Sequence, residues 1–290
     1  MKSIIGLLSL TSILFIYSKP VNALSITLYD GMNLPEDNSP QWLAPGAILS
    51  TGMPTSVSST PVLGGVGVQV DSNENGAEYS GYSNYNPVTS SFINGNFPTL
   101  NNNLGYSIFF NVALDTTNDF FDDSDHRAVF SVTVIGNGNQ GIEIGFDSNQ
   151  IFAQNSNFTQ SEAQAFTTNS STNYQLAILG NNYELLADTN TGSGFASVLN
   201  GSLRTYDFNP SMSDPPLGAF NPYKTPGFLF FGDNTGQAYG TFTLGKISLA
   251  TTSVPFDFSP NLGLALLGVS VGVKKLLTAR HKQDRALIEE

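Results

Sequence analysis

The sequence predicts an all-β fold, an antiparallel β-sandwich, and three observations carry that expectation. Apolar residues alternate with period two in segment after segment, Gly and Asn clusters punctuate them as turns, and no stretch between the two ends has convincing amphipathic-helix spacing. The composition agrees: of 290 residues only 12% are charged, 11% are aromatic and 28 are glycine. Solubility therefore falls to Asn, Ser, Thr and Gln, a balance suited to short strands and turns.

Taken in order, residues 26–29 and 66–70 read as the first strands, separated by a Pro- and Ser-rich stretch, 35–61, that reads as surface loop. In residues 106–114, Tyr106, Ile108, Phe110, Val112 and Leu114 share one face. In 128–135, Ala128, Phe130, Val132 and Val134 do the same, opposite Ser131 and Thr133. Residues 141–146 and 151–154 flank an Asp147-Ser148-Asn149 turn, and 174–179 and 183–187 flank Gly180-Asn181-Asn182. Residues 227–231 form a late strand. In the last one, Phe242 and Leu244 share one parity and Ile247 and Leu249 the other, so a bulge at Gly245-Lys246 is needed to bring all four onto one face. Ten to twelve strands of this kind imply two packed sheets in one domain, residues 24–253.

The two ends read as addresses. Met1-Lys2, an apolar run over 4–17 and the small residues Val21-Asn22-Ala23 form a secretory signal peptide, residues 1–23, cleaved after Ala23. At the other end, residues 254–290 hold a Pro-containing motif (Pro255-Phe256-Asp257-Phe258-Ser259-Pro260), an apolar helix over 261–273 and a basic tail opening at Lys274-Lys275. The helix is expected to cross the membrane with its lysines snorkelling, because residues 262–273 give only roughly 18 Å of a ~30 Å hydrocarbon core. The positive-inside rule leaves the basic tail in the cytoplasm and the body outside. Gly268-Val269-Ser270-Val271-Gly272 matches a nucleophile-elbow pattern, but it lies within that apolar helix, where small residues four apart serve packing.

This three-part tail resembles the PEP-CTERM class of exosortase sorting signals in a cyanobacterial form, although no Pro-Glu-Pro triplet is present. Four stretches of the body resemble a bacterial extracellular "choice-of-anchor" domain. They are Phe97-Pro98-Thr99-Leu100, Asp125-His126-Arg127-Ala128-Val129-Phe130-Ser131-Val132, the pair Gly141-Ile142-Glu143-Ile144-Gly145-Phe146 and Ile151-Phe152-Ala153-Gln154-Asn155, and the run Pro222-Tyr223-Lys224-Thr225-Pro226-Gly227-Phe228-Leu229-Phe230-Phe231-Gly232-Asp233. The resemblance implies a jelly-roll sandwich of the concanavalin A-like lectin/glucanase type, an exported and anchored protein, and a sorting protease as partner. It implies no activity.

The remaining candidates come from residue chemistry. Between Leu24 and Ser253 four basic residues face nineteen acidic ones, a net charge of −15, which argues against nucleic acid and leaves neutral glycans and divalent cations. With no cysteine and two histidines, thiol chemistry is excluded and imidazole chemistry is scarce. Tyr79, Tyr82 and Tyr85 recur every three residues amid Ser, Gly and Asn, a pattern that suits stacking on sugar faces and also suits a loop packed by its own rings. Asp119, Asp122, Asp123 and Asp125 crowd one loop behind Asp115; a solvated loop accounts for them, and the only cofactor their oxygens suit is Ca²⁺. Glu143, Gly145 and Asp147 share a strand face as glycosidase carboxylates do, but glycine stands at the helper position, so pairing of Glu143 with Arg127 is the simpler reading. The expected function is a secreted, surface-anchored binding or extracellular-matrix protein, glycan-binding and non-catalytic. The alternatives are a glycan-active enzyme centred on Glu143 and a purely structural envelope component.

Overall fold

The structure, a computed structural model, describes residues 24–46, 59–61, 67–72, 80–119, 128–188, 194–210, 220–235 and 238–251. The chain runs through β1 (Leu24–Tyr29), β2 (Ala44–Gly46), β3 (Ser59–Pro61), β4 (Val68–Asp71) and β5 (Gly81–Ser83) into a small hairpin, β6 (Tyr85–Asn86) and β7 (Ser91–Phe92). There follow β8 (Tyr106–Asp119), β9 (Phe130–Ile135), β10 (Gly141–Phe146), β11 (Gln150–Gln154) and β12 (Gln160–Ala165). The last are β13 (Thr172–Leu179), β14 (Asn182–Asp188), β15 (Ala196–Ser202), β16 (Leu229–Gly232) and β17 (Ala238–Thr251).

Two antiparallel sheets result. The first has the order β15-β14-β13-β8-β17-β4-β3, with β1 also on β17; the second has the order β12-β11-β10-β9-β16-β5-β2. Period-two alternation supplies both inner faces. Ile108, Phe110, Val112 and Leu114 of β8 meet Phe130, Val132 and Val134 of β9 and Ile142, Ile144 and Phe146 of β10 in one buried cluster. Rings knit the sheets together: Phe110 stands edge-on to Phe146 with centroids 5.9 Å apart, and Phe130 lies 4.9 Å from Phe242. At about 1.5–3 kcal/mol for each large apolar side chain buried, such a core needs no disulfide.

The bulge expected in the last strand is present. The pairing of β17 with β8 shifts between Leu244 and Ile247, and Phe242, Leu244, Ile247 and Leu249 are all fully buried. The expected turn is present too, as a two-residue loop: Gly180 takes φ +61 and Leu179 pairs directly with Asn182. The stretch 35–61 is not all loop. It holds a 3-10 turn at Pro35–Asp37 and the edge strands β2 and β3, whose Pro45 and Pro61 are tolerated because an edge strand has no partner on one side. Among the described residues no helix is long and apolar enough to cross a membrane. The leader, the sorting motif and the apolar segment 261–273 lie outside the described residues.

Candidate functional site

Alternation along β10 sends Ile142, Ile144 and Phe146 into the core, so Glu143 and Gly145 lie on the outer face of the second sheet. That face is closed. The Phe152 ring covers Gly145, leaving no room for even a β-carbon there. Phe230 lies in the same way against Gly81 and Gly232, which face each other across β5 and β16. Glu143 is 1% exposed, and its carboxylate accepts hydrogen bonds from the Tyr223 hydroxyl at 2.5 Å and the Thr133 hydroxyl at 3.5 Å. The ion pair expected with Arg127 falls outside the described residues, and Tyr223 is the close partner found.

Tyr206 explains how this seal is built. Where β11 parts from β10, the Tyr206 hydroxyl accepts a hydrogen bond from the Glu143 N–H (2.7 Å) and donates one to the Gln154 carbonyl (3.2 Å). One residue pair further along, Arg204 bonds Gly141 through both backbone groups at 2.9 Å. The segment around Arg204 thus continues the ladder that β11 leaves, and Tyr206 satisfies the Glu143 N–H between them. Arg204 also donates to the Glu162 carboxylate at 2.8 Å. Burial opposes ionisation of Glu162, but the hydrogen bonds and charge of Arg204 outweigh it and hold the carboxyl below its ordinary range. Tyr206 is pushed well above the ordinary tyrosine range, first by burial and then by the nearby Glu143 charge. The rings of Phe158, Tyr206, Phe208 and Tyr223 pack with neighbouring centroids 4.8 to 6.0 Å apart and form a second small core over Glu143. A carboxylate so enclosed anchors, through Tyr223, a polypeptide strap over residues 220–228.

The same strap ends in an open surface. Asn84 fixes it there, donating to the Gly227 carbonyl and accepting from the Leu229 N–H, both at 2.9 Å. Gly227 takes φ +86, and a β-carbon there would sit 3.0 Å from the Phe92 ring, so this position requires glycine. Beside it runs a row of half-buried rings. Phe220 stacks on Tyr85 at 5.3 Å, Tyr85 meets Phe92 edge-on at 5.5 Å, and Phe92 stacks on Phe97 at 5.6 Å. Trp42, nearly buried, stands edge-on to Phe97 at 6.2 Å.

Residues of the β6–β7 hairpin contribute to two pockets along this row. One is a small hollow of about 30 Å³ lined by Ser83, Tyr85, Asn86, Pro87, Ile93, Phe220 and Phe228 together with Ala44, Pro45 and Gly46 of β2. The other is a pocket of about 250 Å³ lined by Phe92, Phe97, Pro98, Thr99, Leu100, Asn137, Pro226 and Gly227. Rings beside amides and hydroxyls are the ordinary means of holding a polyhydroxylated ligand.

Of the three tyrosines expected to contact glycan, Tyr85 lies on this surface. Tyr82 is a correction: it sits on the inner face of β5 opposite Phe231, fully buried, and cannot meet a ligand. Tyr79 lies outside the described residues, as do Asp122, Asp123, Asp125, the sorting motif and Ala23. The backbone of Asp119 closes β8 opposite Ala238. Among the described residues no three His, Asp or Glu side chains converge as metal ligands. No sequence pattern marks Trp42, Phe92 or Phe220 as a ligand contact, and Phe97 enters only through the stretch Phe97-Pro98-Thr99-Leu100 that carries the resemblance.

No known protein family matches the sequence, and no curated protein does. Solved structures are similar in part. A carbohydrate esterase of the Shiga toxin-encoding bacteriophage phi24B is 12% identical over 79% of this chain and all of its own, with a TM-score of 0.47. The exoplasmic domain of VIP36, in a Ca²⁺- and Man3GlcNAc-bound form, is 9% identical over 82% of this chain and 92% of its own (TM-score 0.44). A family 7 alginate lyase in complex with substrate is 10% identical over 77% of this chain and 98% of its own (TM-score 0.42).

Proposed function

We propose that the chain is an exported, envelope-anchored β-sandwich that binds glycan through the aromatic row of the β6–β7 hairpin and carries out no catalysis of its own. The observation that carries this reading is the run Phe220, Tyr85, Phe92 and Phe97, half-buried and flanked by two pockets bearing Asn86, Thr99 and Asn137. The enclosure of Glu143 supports the absence of hydrolysis, since a general acid must reach the bond it protonates. In this reading residues 1–23 direct export, and Pro255, Phe256, Asp257, Phe258, Ser259 and Pro260 are read by a sorting protease of the exosortase kind. The anchored body then holds matrix or wall polysaccharide at the surface. Affinity electrophoresis of the purified full chain through gels containing different polysaccharides tests it. At least one polysaccharide retards the wild type, and Tyr85→Ala or Phe97→Ala relieves the retardation; free migration in every gel overturns the reading.

A further inference from the structure

We infer that the pocket of about 250 Å³ takes a single N-acetylated sugar unit, with its acetyl methyl against the Phe92 and Phe97 rings and its amide carbonyl on Asn137; this rests on the glycan reading above. Asn137 supplies the polar chemistry. Its Oδ1 accepts the Asn102 N–H at 2.8 Å, and the nitrogen end of a carboxamide cannot accept, so this contact fixes which way the amide faces. The Asn137 backbone N–H donates to the Leu100 carbonyl at 3.0 Å, and both residues line the pocket. The side-chain NH2 is left over: Asn137 is half-buried, and no described residue accepts from that group. Asn137 therefore offers the pocket a donor whose direction is set before a ligand arrives, and a carbonyl oxygen is the acceptor that suits it.

The walls select what that carbonyl is attached to. Phe92 is held by its stack on Phe97 at 5.6 Å, by the Tyr85 edge at 5.5 Å and by Gly227, where a β-carbon would lie 3.0 Å from the ring. Gly227 in turn donates to the Ile135 carbonyl at 2.7 Å, two residues before Asn137. The rings, Pro98 and Pro226 thus set a firm apolar surface in the same small pocket as the fixed donor. A sugar hydroxyl laid on those rings loses water and gains no partner there, whereas an acetamido group brings a methyl for the rings and a carbonyl for the NH2 on adjacent atoms. The space suits one such unit, since it lies just below the roughly 300 Å³ at which pockets for drug-sized ligands begin. Thr99, an exposed lining residue, offers its hydroxyl to those of the sugar ring.

The test is saturation-transfer NMR of the purified full chain with the methyl glycosides of N-acetylglucosamine and N-acetylgalactosamine, beside methyl glucoside and methyl galactoside, the same rings with a hydroxyl in place of the acetamido group. The expected result is that at least one N-acetylated glycoside binds about tenfold or more tightly than its plain counterpart, with its acetyl methyl the most strongly saturated group. Asn137→Asp keeps an oxygen for the Asn102 N–H and replaces the NH2 with an atom that cannot donate, so it weakens the N-acetylated ligand by about tenfold or more. Should that variant fail to fold, the saturation pattern of the wild type decides by itself. Equal binding of plain and N-acetylated glycosides, saturation centred on ring protons, or undiminished binding in a folded Asn137→Asp overturns the acetamido assignment and leaves the glycan reading standing. So does silence of all four glycosides while a polysaccharide still retards the chain in affinity electrophoresis. Silence together with free migration in every gel overturns the glycan reading itself.

Discussion

Changing Tyr223 to Phe isolates the contact that seals Glu143. The substitution keeps the ring, and with it the packing on Tyr206 at 4.8 Å, Phe158 at 5.0 Å and Phe208 at 5.2 Å, so no cavity opens. It removes only the hydroxyl that donates to the Glu143 carboxylate at 2.5 Å, in a place where both residues are at most 2% exposed. A hydrogen bond to a charged group contributes about 1.5–3 kcal/mol, against about 0.5–1.5 kcal/mol for a neutral pair. For a domain of this size each kcal/mol moves the melting midpoint by about 2–4 °C, so Tyr223→Phe lowers it by about 3–12 °C. In a Glu143→Gln background the tyrosine still donates, now to a neutral amide, so the same change costs about 1 kcal/mol less there. Thermal and denaturant unfolding of the four proteins measures this coupling. Strict additivity, or a Tyr223→Phe midpoint equal to wild type, refutes the claim that Glu143 is a buried anchor.

Three further outcomes are expected, the first from the structure and the other two from the sequence. Burial holds Tyr106, Tyr174, Tyr183 and Tyr206 above the ordinary tyrosine range, so the unfolded chain releases their protons first as pH rises. Stability is therefore full below pH about 10 and falls above it by about 1.4 kcal/mol per pH unit for each such tyrosine; complete phenolate formation near pH 10 without unfolding contradicts this. Five aspartates from Asp115 to Asp125 repel one another by only about 0.7 kcal/mol per pair at ~6 Å in water-like dielectric, so melting midpoints in Ca²⁺, in EDTA and in Na⁺ of matched ionic strength are expected to coincide; a Ca²⁺-specific rise that vanishes in Asp122→Asn/Asp123→Asn places an ion there. On the export-and-anchor reading, the mature chain in its native cell is expected to begin at Leu24, and deletion of residues 254–290 is expected to release it to the medium; retention of the deleted form contradicts the anchor.

What the sequence makes legible is whatever faces the core. β8 and β17 are readable because their inner faces are apolar at every second position, and the parity change between Leu244 and Ile247 alone locates the bulge. β12, with the sequence Gln-Ser-Glu-Ala-Gln-Ala, lies at a sheet edge with most of its residues exposed, so it carries no apolar period to read. β2 is Ala-Pro-Gly, which reads as turn and is strand only because β5 offers it a ladder. The face shared by Glu143 and Gly145 is legible from parity, whereas its closure is not, because Tyr206 and Tyr223 arrive from irregular segments distant in sequence. The tyrosine triplet holds its own correction. Residues three apart on an extended chain point to opposite faces, so Tyr82 and Tyr85 were never able to share one surface. Phe220 and Phe97 reach Tyr85 and Phe92 only through the strap and the loop after β7, contacts that no local pattern encodes.

The chain contains one tryptophan, Trp42, and it stands edge-on to Phe97 at the end of the aromatic row. Its fluorescence therefore reports on the neighbouring Phe97, which lines the pocket beside the hairpin. Titrating the full chain with an oligosaccharide cut from a polysaccharide that retards it in affinity electrophoresis should give a saturable change in Trp42 emission, lost in Phe97→Ala. Retardation with Trp42 emission unchanged, and undiminished in Phe97→Ala, places the glycan elsewhere and contradicts the site.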